Sequence, residues 1–195
     1  PAGLYGSLVY DKERKIYRLY TETLITERDG PRRLRLYNSE DLLTFTPADG
    51  PEGENIVFSA GSGIHGASVM YDEHEEDPKK RYKFLGMTDI GRREQYTRNG
   101  ISVDIAYSED GVHWDWKGDV VHPFTSDTLN KLFYNPVTEE YGMFFRAAFV
   151  DRRICLKKSK DLIHWTQPRI ILQPGANYND GFTGMQHYAM TGNWF

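Results

Sequence analysis

The chain has 195 residues, of which 39% are hydrophobic and 14% aromatic, and it carries a formal net charge of −4. This composition supports a folded core and argues against a disordered chain. Charges of both signs are interspersed without a basic stripe, so we expect no nucleic-acid partner, and no apolar run reaches the roughly 18 residues of a membrane span. The single cysteine, Cys155, excludes an intrachain disulfide and leaves the redox compartment undecided.

Three segments of the chain repeat one pattern: a Tyr-Asp or Tyr-Asn turn, an aromatic run, and a Ser-x-Asp turn. Their anchor tyrosines are Tyr10, Tyr71 and Tyr134, spaced by 71 − 10 = 61 and 134 − 71 = 63 residues. A unit that repeats at such a spacing buries its apolar face against the next copy. Because strand patterns dominate and no stretch of ten residues has a helical period, we predict a nearly all-β protein.

Each repeat is predicted to contain four strands. The first strand ends at the tyrosine turn, the second is the aromatic run, the third leads into Ser-x-Asp, and the fourth follows a tryptophan. Four antiparallel strands per unit of about 40–60 residues describe a blade of a β-propeller. The predicted blades span residues 1–59, 60–122 and 123–174, and residues 175–195 begin a further blade, so about three and a half blades form one partial domain over 1–195.

The predicted number of blades leaves open edges. Closed propellers carry about 4–8 blades, and long unpaired strand edges promote aggregation. We therefore expect either that the chain is part of a longer protein or that it self-associates through the open blade edges.

The Ser-x-Asp turns have a structural explanation. Serine and aspartate side chains bind the backbone of their own turn, glycine allows a positive φ, and the tryptophan that follows fills the gap to the next blade. We therefore interpret the aspartates of these turns as structural rather than catalytic.

Propeller geometry predicts where a site would lie. The start of the first strand and the end of the second strand of every blade share one face of the disc. Carboxylates, a histidine and arginines from different blades therefore converge on one mouth: Glu22, His65, Asp127, Arg146, Arg152, Arg153 and Asp180.

This set suits cleavage of a glycosidic bond, in which one carboxyl group protonates the leaving oxygen and another activates water or attacks the sugar. We predict catalytic roles for Asp127, Asp180 and Glu22. Substrate binding is predicted for His65, Arg146, Arg152 and Arg153.

Structural roles remain open for most of these residues. Asp127 and Asp180 fit turn positions, and Glu22 fits a solvated strand end. His65 fits a hydrogen-bonded channel histidine, and Arg146 fits a structural ion pair.

Other site chemistries lack their motifs. Neither a cysteine pair nor a His-x-x-x-His spacing indicates zinc, and no phosphate-binding loop or serine-hydrolase motif is present. We predict no cofactor, although the sequence leaves open a calcium ion in the central channel.

The turns Ser108-Glu109-Asp110-Gly111-Val112-His113-Trp114 and Ser159-Lys160-Asp161-Leu162-Ile163-His164-Trp165 resemble those of the five-bladed propeller glycosidases of glycoside hydrolase families 32 and 43. The segment Ser126-Asp127-Thr128-Leu129 is similar to the middle-blade aspartate motif of these families. The resemblance implies that Asp127 orients the substrate and tunes the catalytic acid. It also implies an oligo- or polysaccharide substrate of fructan, arabinan or xylan type, and it is compatible with a secreted or periplasmic protein.

The chain departs from the family pattern at both other catalytic positions. The Trp-Met-Asn-Asp-Pro motif of the first blade is missing, and no glutamate stands where the family has its acid, so Asp180 is the nearest candidate for that role. The turns also resemble the Asp box of sialidases, and a mannoside phosphorylase propeller is a further relative. A carbohydrate-binding propeller without catalysis is the alternative from a different class.

Overall fold

The computed structural model describes residues 2–23, 31–61, 63–89, 101–146 and 153–172. These residues form thirteen strands and a single 3₁₀ turn at Pro78–Lys80. The strands are β1 (Ala2–Asp11), β2 (Ile16–Thr23), β3 (Leu34–Ser39), β4 (Thr46–Pro47), β5 (Ile56–Phe58), β6 (His65–Tyr71), β7 (Tyr82–Thr88), β8 (Ser102–Ser108), β9 (Trp114–His122), β10 (Lys131–Asn135), β11 (Glu140–Phe145), β12 (Ile154–Ser159) and β13 (Arg169–Leu172).

The strands form three antiparallel sheets in chain order. The first sheet has the order β1-β2-β3-β4 with β5 also paired to β3, the second is β6-β7-β8-β9, and the third is β10-β11-β12-β13. The predicted all-β class is confirmed, and each sheet is a meander of the kind that forms a propeller blade. No helix in the described part of the chain is long and apolar enough to cross a membrane.

The outer edge of the first sheet differs from the predicted single fourth strand. Two short strands, β4 and β5, pair with different parts of β3. Between them the chain leaves the sheet through a turn in which the Gly50 N–H donates to the Glu54 carbonyl, and Gly53 has a φ of +93°. Proline and glycine interrupt a strand ladder because proline lacks an N–H and glycine favours turns, so the fourth strand is split in two.

The core lies between neighbouring sheets. One apolar cluster fills the space between the first and second sheets and another the space between the second and third, and each repeat thus buries its face against the next. The largest fully buried side chains in these two clusters include Tyr20, Leu36, Phe84, Leu85, Ile105, Leu132, Met143 and Phe145.

The innermost strands meet through serine hydroxyls. Ser7 on β1 accepts a hydrogen bond of 3.0 Å from the Val69 N–H on β6. Ser68, at the equivalent position of β6, donates to the Asn130 carbonyl (2.6 Å) and accepts from the Leu132 N–H (3.3 Å). Each innermost strand is the edge of its own sheet, so the serine of the preceding blade satisfies an N–H that would otherwise be buried without a partner.

An Asp–Tyr contact also repeats between blades. The Tyr82 hydroxyl on β7 donates to Asp11 at the end of β1, and the Tyr141 hydroxyl on β11 donates to Asp72 after β6 at 2.6 Å. The Lys83 ammonium, which is completely buried, lies 2.8 Å from the same Asp72 carboxylate. Burial alone would raise the pKa of Asp72, but the hydrogen bonds from Lys83 and Tyr141 outweigh it and lower that pKa.

The three Ser-x-Asp turns have the same hydrogen bonds. In the second blade, the Ser108 hydroxyl accepts from the Gly111 N–H (2.9 Å), and an Asp110 carboxylate oxygen accepts from the two N–H groups that follow (both 2.8 Å). The same bonds form around Ser39 and Asp41 and around Ser159 and Asp161. The structural interpretation of these aspartates therefore fits the contacts that they make.

Glycine is needed at only one of the three turns. The position with positive φ is Gly111 in the second blade but Leu42 and Leu162 in the others, at 63° and 64°. A Cβ on Gly111 would collide with the Tyr20 hydroxyl of the preceding blade. Close approach to the neighbouring blade, rather than φ alone, therefore selects glycine there.

The tryptophans fill the gap on the opposite side from the one predicted. Trp114 packs edge-on against Tyr20 and Phe58 of the preceding blade, with ring centroids 6.4 and 6.3 Å apart. Trp165 likewise packs against the cluster between the second and third sheets. The expectation that these rings face the next blade is wrong, because the Ser-x-Asp turn folds back over the blade before it.

The Asp–Tyr contacts predict unequal effects of matched Tyr→Phe substitutions. Tyr141→Phe removes a hydroxyl that donates to a buried carboxylate, and we expect the free energy of unfolding to fall by about 1–3 kcal/mol. Tyr17 occupies the equivalent position on β2, and its hydroxyl makes no hydrogen bond within the described residues, so Tyr17→Phe should change stability by less than about 0.5 kcal/mol. Urea unfolding followed by tryptophan fluorescence measures both, and equal losses would contradict the assigned role.

Candidate functional site

Four of the predicted site residues lie together at one mouth of the structure. Glu22 is near the end of β2, His65 begins β6, Asp127 lies in the segment between β9 and β10, and Arg146 directly follows β11. They come from three different blades; Glu22, His65 and Arg146 lie at a first-strand start or a second-strand end, and Asp127 lies in the segment that leads into the first strand of the third blade. A chain of contacts from Glu22 through His65 to Asp127 and Arg146 links them.

A β-bulge orients His65. The pairing of β6 with β7 shifts register between His65 and Ser68, and Gly66 within this shift has a φ of +62°. Bulges commonly re-aim a side chain next to a site. A Cβ on Gly66 would collide with the Thr128 carbonyl, so only glycine allows β6 to approach the Asp127 segment this closely.

Asp127 is held by two cationic or potentially cationic side chains. Its Oδ1 lies 2.7 Å from His65 Nε2, and its Oδ2 accepts from the Arg146 guanidinium at 3.0 Å. The Asp127 side chain is 47% exposed, whereas that of Arg146 is 8% exposed. The pair thus presents an oriented carboxylate to solvent while the guanidinium remains in the protein.

A buried amide shapes the backbone around Asp127. The Asn130 side chain, which is fully buried, donates to the carbonyls of Gly66 (3.1 Å), Ser126 (3.2 Å) and Thr128 (3.1 Å). The Ser126 hydroxyl in turn accepts from the Arg146 N–H at 2.9 Å. These bonds tie the Asp127 segment to both β6 and the end of β11, which fixes Asp127 relative to His65 and Arg146.

Glu22 lies behind His65 and is only 1% exposed. Its Oε1 accepts from the Ala67 N–H at 2.6 Å, while its Oε2 is buried without a hydrogen bond, 3.7 Å from His65 Nδ1 and 3.9 Å from the Arg32 guanidinium. Burial raises the pKa of Glu22 to about 7, against the opposing effects of the Ala67 N–H and the Arg32 charge. Glu22 is therefore a carboxyl group that gains and loses its proton near neutral pH.

Arg32 determines the tautomer of His65. Its guanidinium contacts His65 Nδ1, and a guanidinium can only donate. Nδ1 must then carry the lone pair, so the proton of a neutral imidazole is on Nε2 and points at Asp127. This tautomer is assigned from the hydrogen-bond partners.

A cavity of about 300 Å³ opens beside Asp127. Its apolar wall comes from Ile64, Met87 and Ile101, and its polar wall includes Asp127, His65 and Arg32. One apolar side and a few convergent polar groups are typical of sites for small ligands. Within the described residues, no group of three or more His, Cys, Asp or Glu side chains could hold a metal ion.

Three further residues, Arg152, Arg153 and Asp180, were predicted for the site. Arg153 lies directly before β12 and is partly buried. Asp180 and Arg152 lie outside the described residues, so their roles stay predictions.

Sequence reasoning missed Arg32 and Asn130. Arg32 lies in an irregular segment before β3 and does not follow the rule of strand ends. Asn130 directly precedes the innermost strand β10, but it is a neutral amide rather than one of the carboxylates, histidines and arginines that indicated a site. Two polar residues flank Asp127 in the sequence, Ser126 and Asn130. They could have indicated that a buried amide organises this segment, because buried polar networks fix loop conformation.

Comparison with solved structures supports the fold. The chain matches an N-acetylgalactosamine deacetylase from F. plautii in complex with blood group B trisaccharide (TM-score 0.60, 16% identity, 87% of this chain, 53% of that chain). It also matches the fructofuranosidase from Schwanniomyces occidentalis complexed with fructose (0.61, 19%, 85% and 32%) and an endo-arabinase from Bacteroides thetaiotaomicron (0.60, 17%, 88% and 56%). No protein-family model and no curated protein sequence matches the chain.

These neighbours establish the architecture. They include β-propeller glycoside hydrolases, so the fold of this chain belongs to the same all-β propeller class. The chain spans between about a third and a little over half of the length of these three neighbours. At 16–19% identity the likeness concerns the fold.

The Asn130 contacts predict a loss of stability. Asn130→Ala removes the buried amide from three carbonyls; those of Gly66 and Ser126 keep backbone N–H donors, whereas the Thr128 carbonyl loses its donor. We expect the free energy of unfolding to fall by about 2 kcal/mol. The control Asn135→Ala removes an acceptor for two exposed turn N–H groups and should lower the free energy of unfolding by about 1 kcal/mol. Urea unfolding at pH 6 compares the two, and a smaller loss for Asn130→Ala than for Asn135→Ala would contradict this role.

The raised pKa of Glu22 predicts a pH dependence of stability. The folded state binds the Glu22 proton more tightly than the unfolded state does, so Glu22 stabilises the fold at acidic pH. This stabilisation is lost as pH rises from about 4.5 through about 7. Glu22→Gln lacks this titration. We therefore expect the stability of the variant relative to the natural chain to rise by roughly 3 kcal/mol between pH 4.5 and 7.5.

Denaturant unfolding at several pH values measures this difference. Glu76→Gln, which changes an exposed carboxylate, serves as the control and should track the natural chain. A constant difference between Glu22→Gln and the natural chain across the range would show that folding does not raise the pKa of Glu22.

Proposed function

We propose that this chain is the carbohydrate-binding part of a propeller glycoside hydrolase, with Asp127 as the carboxylate that holds a sugar hydroxyl. The observation that carries the proposal is the placement of Asp127: half exposed beside a cavity, with one oxygen on His65 and the other on Arg146. A carboxylate held in this way accepts hydrogen bonds from ligand hydroxyls in a defined direction.

The cavity suits a sugar ring in chemistry as well as in size. Ile64, Met87 and Ile101 offer an apolar surface to the C–H groups of a ring, and Asp127 and Arg32 offer an acceptor and a donor for hydroxyls. This mixture of one apolar face and directed polar groups matches the amphipathic character of a saccharide.

The position of Asp127 favours orientation over proton transfer. Both of its carboxylate oxygens already accept hydrogen bonds, one from His65 and one from Arg146, so the carboxylate is held in a fixed direction as an acceptor. The proposed role is therefore to bind a hydroxyl of the substrate and to hold the ring against the catalytic acid. This agrees with the role that the resemblance to families 32 and 43 implies.

Cleavage of a glycosidic bond needs a second carboxyl group besides Asp127, and we propose that it comes from a residue other than those that line the cavity. Among the described residues that line the cavity, Asp127 is the only carboxylate, and Glu22 is too deeply buried to touch a ligand. Asp180 remains the candidate for the second carboxylate. The neighbours that act on fructose-, arabinose- and galactose-containing saccharides make fructan, arabinan and related polymers the first substrates to test.

A carbohydrate-binding propeller without catalysis is the second candidate. The lone cavity carboxylate among the described residues favours it, because glycosidic cleavage needs two carboxyl groups across the bond. The two candidates share the site and differ in turnover.

A substrate screen distinguishes the candidates. The full chain is incubated with pNP-arabinofuranoside, pNP-xyloside, sucrose, inulin and mannobiose, with and without phosphate, and binding of the same sugars is measured by ligand-observed NMR. Turnover supports the hydrolase, and turnover that requires phosphate supports a phosphorylase. Binding without turnover supports the binding protein, and the absence of both would overturn the proposal.

Asp127→Asn tests the central residue. The substitution removes the charge that accepts from ligand hydroxyls, so we expect sugar binding to weaken about ten- to hundred-fold, corresponding to roughly 1.5–3 kcal/mol for a charge-assisted bond. Turnover, where the natural chain has it, should be lost, and the circular dichroism spectrum should be unchanged. Glu76→Gln is the matched control away from the site, and unaltered binding by Asp127→Asn would refute the assignment.

A further inference from the structure

The His65 ring lies between the carboxyl groups of Asp127 and Glu22, and in its neutral form it has a single N–H to donate. Nε2 lies 2.7 Å from Asp127 Oδ1, and Nδ1 lies 3.7 Å from Glu22 Oε2 on the opposite side of the ring. A neutral imidazole carries one N–H, so it can donate to only one of these groups at a time. The site therefore contains a competition that depends on the charge of Glu22.

When Glu22 is protonated, both ring nitrogens of His65 face suitable hydrogen-bond partners. Arg32 donates to Nδ1, the Nε2–H donates to Asp127, and Glu22 is neutral with its Oε1 on the Ala67 N–H. The buried Glu22 Oε2 has no hydrogen bond in this arrangement.

When Glu22 is ionised, the same arrangement becomes unfavourable. A buried carboxylate would then face the lone pair of Nδ1, and such a repulsion is strong in a poorly solvated site. The repulsion is relieved if the imidazole proton is on Nδ1, where it points at Glu22. Nε2 would then face Asp127 with a lone pair, and the bond that holds Asp127 would be lost.

We propose that Glu22 is a positioning residue whose protonation decides whether His65 donates its N–H to Asp127 or to Glu22. Protonated Glu22 keeps Asp127 anchored, and ionised Glu22 releases it toward the cavity. The effect on a sugar ligand rests on the proposed function of Asp127, whereas the proton exchange at His65 does not.

The protons balance in this exchange. As pH rises, Glu22 gives one proton to solvent, and His65 stays neutral while its proton moves from Nε2 to Nδ1 by exchange with water. Arg32, whose guanidinium is 3.9 Å from Glu22 Oε2, can follow the new negative charge and leave Nδ1 free to bind the proton. The net charge of the site falls by one unit.

The other charged groups near Glu22 and His65 only partly oppose the movement of the His65 proton from Nε2 to Nδ1. Arg32, before β3, and His65, on β6, face Glu22 in the described structure, and Arg146 faces Asp127 from beyond His65. Tyr5 on β1 also packs edge-on against the His65 ring, with ring centroids 5.3 Å apart. Arg32 lowers the pKa of Glu22 but does not overcome burial, which holds it at about 7. The exchange therefore falls in a pH range where both states are populated.

Nitrogen NMR tests the proposal directly. The full chain is labelled with 15N-histidine, and the protonation of each ring nitrogen of His65 is followed from pH 5.5 to 8.5, with the signals assigned by His65→Asn. In the natural chain we expect the proton to move from Nε2 to Nδ1 with a midpoint near pH 7. In Glu22→Gln, which keeps an oxygen for the Ala67 N–H but cannot ionise, we expect Nε2–H at every pH.

A carboxyl titration on the natural chain makes the test independent of the variant. The Glu22 carboxyl is observed with 13C-glutamate label, assigned by Glu22→Asp, and its midpoint should coincide with that of the His65 exchange. His113, which is exposed and paired with Asp110 in a turn, should respond identically in all chains. A His65 that keeps its proton on Nε2 at all pH values, an unchanged transition in Glu22→Gln, or separate midpoints for the two groups would each overturn the proposal.

This outcome is separable from the proposed function. The NMR readout needs no saccharide, so a failure to bind sugar leaves the proton exchange standing. Where the chain does bind sugar, affinity in the natural chain should change several-fold across pH 7, and in Glu22→Gln this change should be lost.

Discussion

The structure depends on how each blade's first turn contacts the second strand of the next blade. Asp11 and Asp72 occupy equivalent turns, and each accepts a hydrogen bond from the equivalent tyrosine, Tyr82 and Tyr141, one blade further on. Together with the serine contacts between innermost strands, these buried polar bonds set the lateral position of one sheet on another. Apolar packing alone is tolerant of sliding, whereas a buried carboxylate accepts only a partner in the right place.

That lateral position is what creates the site. Because neighbouring blades are aligned by the same contacts, their strand ends reach the same level at the mouth, and side chains far apart in sequence meet. Glu22 and His65 are 43 residues apart (65 − 22), and His65 and Asp127 are 62 residues apart (127 − 65). The repeat thus determines where a side chain lies, and departures from the repeat determine its chemistry. Glu22 is the last residue but one of the second strand in the first blade, whereas Arg146 directly follows the second strand in the third blade.

The sequence predicted the repeated, exposed and local features well. The tyrosine turns and Ser-x-Asp turns were recognisable because their side chains bind their own backbone, which needs only neighbouring residues. The meeting of Glu22, His65, Asp127 and Arg146 also followed, since strand direction alone places them at one end. What could not be predicted were features that depend on the distance between blades: the direction of Trp114, the split edge of the first sheet, and the contacts of Arg32 and Asn130.

Burial gives different properties to two carboxyl residues that look equivalent in the sequence. Glu22 and Asp127 are both carboxylates at strand ends, yet one is 1% exposed and the other 47%. The exposed carboxylate is paired with Arg146 and lines the cavity, whereas burial without a full partner makes the charged form of Glu22 costly. The imidazole between them transmits this difference, because its single transferable proton cannot satisfy both carboxylates. In the proposed exchange, a buried carboxyl group that lies away from the cavity governs the carboxylate that lines it.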